Sequence, residues 1–147
     1  MKRPWKAIII TIVVIAVLAL GAWRATSFFG GLFADLFAQS REVAALSDQA
    51  AAAVVAQWDP QSLKPFATPD YFAAQEKNGF AAWKTYQLLG KPVTLKPCTV
   101  PSLNITNGHG TASAVCAATF GTGQGQITFD FDDGSGDWKV SAFKVAF

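Results

Sequence analysis

The two cysteines, Cys98 and Cys116, are the residues whose spacing most restricts their chemistry. Residue 107 lies midway between them, and Asn107-Gly108 is the strongest two-residue hairpin signal in the chain. Such a turn places the cysteines opposite each other on neighbouring antiparallel strands, within about one residue of register. We therefore predict a structural disulfide, worth about 3 kcal/mol in the chain-entropy treatment. Two free structural thiols are the alternative; a redox catalyst is disfavoured because reactive pairs usually have Cys-x-x-Cys spacing.

The single histidine and the acidic cluster are the next candidates for chemistry. His109 follows the hairpin turn with no catalytic or metal-binding partner beside it in the sequence, so we expect an exposed turn residue. The acidic cluster lacks the alternate spacing and the twelfth-position Glu of a calcium loop, so we expect solvated hairpin acids. Its members are Asp130, Asp132, Asp133 and Asp137. The sequence thus predicts no catalytic residue, no metal ligand and no cofactor.

Four aromatic residues could line a pocket between helices and sheet. They are Tyr71, Tyr86, Trp58 and Trp83. Aromatic side chains at helical spacing are more often part of a core, so both interpretations stay open at this point.

Helical patterns occupy the first half of the region that must position these residues. From Ser40, a candidate N-cap, apolar residues recur every three or four positions until Asp59-Pro60 ends the pattern. A second helix opens at Pro69-Asp70 and is broken by Asn78-Gly79. A third covers 80–89 and closes with Gly90.

Alternating patterns typical of antiparallel strands follow from Val93. The predicted strands cover 93–99, 111–120, 126–132 and 138–147. In the last strand the apolar phase shifts, which predicts a β-bulge near Ser141-Ala142. The sequence therefore predicts an α+β domain with a sheet of about four strands.

An apolar run covers residues 7–23, interrupted only by Thr11. Its length suits a short transmembrane helix, for which about 17–25 residues are typical. Basic residues precede the run at Lys2, Arg3 and Lys6, so the positive-inside rule predicts a cytoplasmic N-terminus and a periplasmic C-terminal domain at the bacterial inner membrane. A cleaved signal peptide is the alternative, because Ala19-Leu20-Gly21 offers a small-x-small site.

The charge distribution separates this anchor from the rest of the chain. The net charge is +2, yet residues 25–147 carry 8 basic and 10 acidic side chains. A slightly acidic domain without a basic cluster excludes nucleic acid as the expected partner. We assign residues 1–24 to a transmembrane anchor, 25–39 to a juxtamembrane linker with a hinge at Gly30-Gly31, and 40–147 to the α+β domain.

The helical first half, a helix ending in Leu88-Leu89-Gly90 and the closing strand Gly-Asp-Trp-Lys-Val-Ser-Ala-Phe-Lys-Val-Ala-Phe at 136–147 resemble the cystatin-like cone of the nuclear transport factor 2-like superfamily. Within that superfamily, the chain resembles small exported bacterial domains of unknown function. The resemblance covers residues 40–147 and implies a curved sheet wrapped around the long helix. Enzymatic members place Asp, His, Tyr or Glu inside the cone, whereas this sequence places Ala, Ile, Phe and Val at the inward strand positions.

Two functions are consistent with these patterns. The favoured one is a non-catalytic, membrane-tethered periplasmic accessory domain that binds another envelope protein or a second copy through its sheet face. Polar outer positions such as Gln124, Gln126, Thr128 and Asp130 would form that surface. The alternative is a small-molecule binding domain or hydrolase that uses the cone mouth, with Tyr71, Tyr86, Glu76 or Asp70 at the entrance.

Overall fold

The computed structural model describes the backbone of residues 5–147 and the side chains of residues 15–19, 30–31 and 33–147. The chain divides into two compact units, Met1–Ala38 and Gln39–Phe147.

A single helix, α1 (Trp5–Gln57), supplies the described part of the first unit and enters the second. The expected hinge at Gly30-Gly31 and the expected N-cap at Ser40 are wrong, because both positions lie inside this helix. Two glycines cost a helix only about 1 kcal/mol each relative to alanine, and no proline lies between residues 5 and 57 to break the helix. Exposed apolar side chains in this unit include Ile15, Val17, Leu18, Phe33 and Phe37.

No helix within the part of the chain that the structure describes is long and apolar enough to cross a membrane. Most side chains of the predicted span, those of residues 7–14 and 20–23, lie outside the described residues. The transmembrane assignment therefore stays a prediction.

The second unit is an α+β structure built on an antiparallel sheet of five strands, not four. The strands are β1 (Thr94–Leu95), β2 (Thr99–Thr106), β3 (His109–Phe120), β4 (Gly123–Asp132) and β5 (Lys139–Ala146). Both β1 and β2 pair with β3, so the pairing is divided between two strands. The strand expected over 93–99 contains β1 and only the first residue of β2, and the rest of β2 was not predicted. The division falls at Pro97, which has no N–H for a ladder, and at Cys98, whose N–H bonds to a side chain of α1.

The expected turn and bulge are confirmed. Asn107 and Gly108 adopt φ of 53° and 75°, as a two-residue turn of type I′ requires, and Thr106 pairs with His109 across it. Ala142 pairs with Asp130 while Val140 pairs with Phe131, so Ser141 is the extra residue of a bulge in β5.

Short helices connect α1 to the sheet. A 3₁₀ turn covers Pro60–Leu63, followed by α2 (Pro69–Lys77) and α3 (Ala81–Gln87). Thr68 caps α2 by accepting a hydrogen bond from the Tyr71 N–H, and Pro69 occupies the first turn. Residues 66–68 also pair in parallel with the start of β5, through a bridge between Ala67 and Val140.

One face of the sheet carries the core. Alternate residues of β3 and β4 are buried, as predicted, and lie in one cluster with the C-terminal half of α1. The buried members on the two strands are Ala112, Ala114, Cys116, Ala118, Phe120, Ile127, Phe129 and Phe131. Small residues on β3 beside aromatic residues on β4 leave room for the helix to approach.

Candidate functional site

Cys98 and Cys116 form a disulfide, as predicted. Their Cα atoms are 4.1 Å apart. The pairing β2–β3 shifts by one position between Thr99 and Ser102, and this irregularity brings Cys98 opposite Cys116 and not Ala117. Cys116 is fully buried and Cys98 is 7% exposed, so the bond lies within the core cluster.

Asp48 of α1 attaches this crosslink to the long helix. Its carboxylate Oδ1 accepts a hydrogen bond of 2.7 Å from the Cys98 N–H. That N–H lies between β1 and β2, where no ladder bond is available to it, and a buried donor without a partner would cost about 1–3 kcal/mol. The helix, the divided edge strand and the disulfide are thus joined at one point.

Trp58 and Trp83, two of the four predicted pocket residues, are each only 2% exposed. Trp58 follows α1 with φ of 52°, a left-handed conformation that is unusual for a residue other than glycine. Its Nε1 donates a 2.7 Å hydrogen bond to the Gly90 carbonyl. Trp83 stacks on Phe143, with ring centroids 5.1 Å apart. These contacts are those of a packed core.

Tyr71 and Tyr86, the other two, cover the outer edge of β5. The Phe143 N–H donates to the Tyr71 hydroxyl at 3.1 Å, and the Val145 N–H donates to the Tyr86 hydroxyl at 3.4 Å. The Tyr71 hydroxyl in turn donates to the Phe143 carbonyl at 3.5 Å. Together with the bridge at Val140, these contacts occupy backbone groups that an edge strand would otherwise offer to another chain.

Burial raises the pKa of Tyr71 above its ordinary value of 10.0. The hydrogen bond with the Phe143 backbone opposes this increase, and the nearby Tyr86 adds to it. The neutral phenol is therefore the form that the folded domain favours.

A cavity of about 420 Å³ opens on the outer face of the sheet, opposite the core. The lining includes Thr94, Lys96, Thr119, Gln124, Gln126 and Phe147. None of the four predicted aromatic residues lines it. Gln124 and Gln126, which the sequence placed on an interaction surface, do. Register explains the grouping, since Gln124 pairs with Thr119 and Gln126 with both Ala117 and Ala146.

In the folded structure, His109 lies beside two aspartates that are distant from it in the sequence. Its Nε2 lies 3.2 Å from Asp132 Oδ2, and its Nδ1 lies 3.6 Å from Asp133 Oδ1. The pairing of β3 with β4 brings them together, because Thr111 lies opposite Asp132 and the Asp133 N–H bonds to the Gly110 carbonyl. Register counted from the predicted bounds, 111–120 and 126–132, would have placed His109 level with residue 137, because β4 begins at Gly123 and not at 126, so sequence reasoning missed this cluster.

Comparison with known proteins identifies no relative. No protein-family model matches the sequence, and neither the curated proteins nor the solved structures include a match.

Proposed function

We propose that this protein is a non-catalytic, membrane-tethered accessory domain that binds another envelope protein through the outer face of its sheet. The observation that carries the proposal is the polar, cavity-bearing surface around Gln124 and Gln126. The opposite face is filled by the core cluster, and β5 is covered by two tyrosines. The outer face of β3 and β4 is thus the broad sheet surface available to a partner.

The tether and the compartment rest on the sequence together with the disulfide. The apolar run 7–23 with its preceding basic residues favours an anchor whose C-terminal domain faces the periplasm. Disulfides persist in such oxidising compartments and are rare in the cytosol. The Cys98–Cys116 bond supports the same placement.

For the fold of residues 40–147 we propose a cystatin-like cone around α1. An antiparallel sheet that shares one core cluster with the long helix is what this arrangement requires. The inward positions are apolar, and the one buried polar side chain among the described residues, Ser47, donates its hydroxyl to the Val43 carbonyl at 2.6 Å. A filled interior favours binding at the outside of the cone over catalysis within it.

Photo-crosslinking from defined positions tests the binding face. A photoreactive side chain at Gln126 should crosslink to one discrete partner in intact cells, whereas the same group at Lys84, exposed on α3, should not. A partner that is a second copy would give a product of twice the chain mass. Equal crosslinking from both positions, or none from Gln126, would contradict the assignment of the face.

Intact mass tests the tether and the compartment. Protein recovered from washed membranes should have the full-chain mass, and its cysteines should react with an alkylating reagent only after reduction. A soluble species that begins near Ala22 would show that the run 7–23 is a cleaved signal. Alkylation without reductant would contradict an oxidising compartment.

Small-molecule binding is the second candidate, because the outer cavity lies within the range of about 300–1,000 Å³ typical of ligand sites. Its threonine and glutamine side chains and Lys96 would suit a polar, anionic ligand. Replacement of Lys96 by Ala would then weaken ligand binding without changing the crosslinked protein partner. If the Lys96 variant loses the crosslinked protein partner while its binding of small molecules is unchanged, the accessory role would be favoured.

A further inference from the structure

Where the strand pairing brings His109 beside Asp132 and Asp133, an imidazole and two carboxylates present one potential ligand atom each within 4.8 Å of one another. The cluster consists of one histidine and two aspartates, so it offers nitrogen and oxygen donors only. Such a donor set suits borderline first-row divalent cations such as Zn²⁺ better than Mg²⁺ or Ca²⁺, which prefer oxygen alone.

The separation of the two nearest donors matches the coordination geometry of such a cation. Zn²⁺ bonds to imidazole nitrogen and carboxylate oxygen at about 2.0–2.2 Å, so two tetrahedral ligands lie about 3.4 Å apart. His109 Nε2 and Asp132 Oδ2 are 3.2 Å apart. A cation can therefore join these two atoms with little movement of either side chain.

Backbone N–H groups hold both carboxylates in place. The Gly134 N–H donates to Asp132 Oδ1 at 2.6 Å, and the Gly110 N–H donates to Asp133 Oδ1 at 2.5 Å. The first bond fixes Oδ1 of Asp132 and leaves its Oδ2 for a ligand, whereas the second fixes the Asp133 Oδ1 atom that faces His109 Nδ1. Asp133 lies on the Nδ1 side of the imidazole, where metal-bound histidines commonly have a carboxylate that orients the ring.

The space for this arrangement depends on a missing side chain. A Cβ added to Gly134 would lie 2.8 Å from Asp132 Oδ1 and 3.0 Å from His109 Cε1. Both atoms are at the ends of movable side chains, so a substitution would displace the cluster and leave the strands in place. The φ of Gly134 is not in the left-handed region, so its conformation alone does not demand glycine. Room for the cluster is what glycine provides here.

We propose that His109, Asp132 and Asp133 form a binding site for a borderline divalent cation, with His109 Nε2 and Asp132 Oδ2 as ligands and Asp133 as a positioning residue. Half of the His109 side chain is exposed, so water can complete the coordination. The bound cation would join the first residue of β3 to the end of β4, at the opposite end of the sheet from the outer cavity.

Titration of the purified full-length chain with Zn²⁺ tests the site. Binding is measured by calorimetry and by the NMR resonances of the imidazole ring. The chain has one histidine, so its ring signals are unambiguous. We expect saturable binding of one Zn²⁺ that shifts these resonances and raises the unfolding temperature. The variant H109A should lose the binding, and D133N should weaken it by about 10–100-fold, as loss of an orienting partner does at other metal sites.

Two glycine variants separate a built site from a general effect on the fold. G134A should weaken Zn²⁺ binding while circular dichroism and the disulfide stay unchanged. G121A, in the β3–β4 turn where an added Cβ meets nothing within 4 Å, should bind as the wild type does. This comparison remains informative even if H109A does not fold.

Three results would overturn the proposal. The first is no saturation by about 1 mM Zn²⁺, the weak end of specific binding. The second is undiminished binding in both H109A and G134A, which would place the cation elsewhere. The third is equal affinity for Ca²⁺, which would remove the role of the imidazole.

Discussion

Loss of the Cys98–Cys116 disulfide should lower the thermal stability of the domain substantially. The bond closes a loop with a sequence separation of 18. The chain-entropy relation gives about 10.7 cal/mol/K for such a loop, or about 3.2 kcal/mol at 25 °C. Residues 39–147 form the compact unit, and an unfolding entropy of about 2.1 cal/mol/K per residue gives about 0.23 kcal/mol/K for it. Dividing the lost stability by this unfolding entropy gives a decrease in Tm of about 14 °C.

Differential scanning calorimetry of the full wild-type chain, once oxidised and once reduced, measures this decrease. Because no side chain is removed, the difference reports on the crosslink alone. The double variant C98A/C116A provides the control, since its Tm should not respond to reductant. It should lie at or below that of the reduced wild type, because two buried sulfur atoms are also removed. A decrease of less than about 3 °C on reduction, equivalent to under about 1 kcal/mol, would refute the loop-entropy reasoning.

Three further predictions concern Tyr71, Asp48 and Gly108. Because the pKa of Tyr71 is higher in the folded state than in the unfolded state, its contribution to stability is fully present below about pH 10. As the pH rises from the pKa of the unfolded state through that of the folded state, this contribution is lost by up to about 1.4 kcal/mol per pH unit. Urea unfolding at about pH 9 and about pH 11 should therefore show a smaller loss of stability for Y71F than for the wild type. D48A should cost about 1–3 kcal/mol by leaving the Cys98 N–H without an acceptor, measured by urea unfolding at neutral pH. G108A should cost about 1–2 kcal/mol in the same assay, because φ of 75° is unfavourable for alanine although the added Cβ meets nothing within 4 Å.

Matched variants make these results decisive. D48N retains a side-chain oxygen as acceptor, so it should be closer to the wild type than D48A is; equal destabilisation would contradict the hydrogen-bond explanation. G121A has equal space and no left-handed φ, so it should be nearly neutral, and a cost equal to that of G108A would contradict the argument from φ. Parallel pH dependence of Y71F and the wild type would show that Tyr71 does not produce the alkaline loss.

Local patterns predicted much of the second unit. The α+β class, the core positions of β3 and β4, the turn at Asn107-Gly108 and the bulge at Ser141 follow from alternation, turn chemistry and a shift of phase. Each of these signals depends on neighbours within a few residues. The disulfide also followed, because a two-residue hairpin converts sequence distance from the turn into spatial register.

Features that depend on distant partners were predicted less well. Gly30-Gly31 suggested a hinge, yet the helix continues, since two glycines cost too little to break it. At the division between β1 and β2, the Cys98 N–H donates to Asp48, 50 residues earlier, and no local pattern reveals this partner. Tyr71 and Tyr86 suggested core or pocket, and their rings do pack against the core cluster. That their hydroxyls also cover the edge of β5 was not predicted.

The sequence by itself determined α2, α3, the strands β3 to β5 approximately, and the disulfide, because periodicity, turn residues and proline act through short segments of the chain. The tertiary structure alone decided that Lys96, Gln126 and Phe147 surround one cavity and that His109 stands between two aspartates 23 and 24 residues away. Both groupings require strand register and the convergence of loops at a sheet edge. Those properties arise only when separate strands pair over a common core, where burial of the alternate apolar residues fixes one register for all.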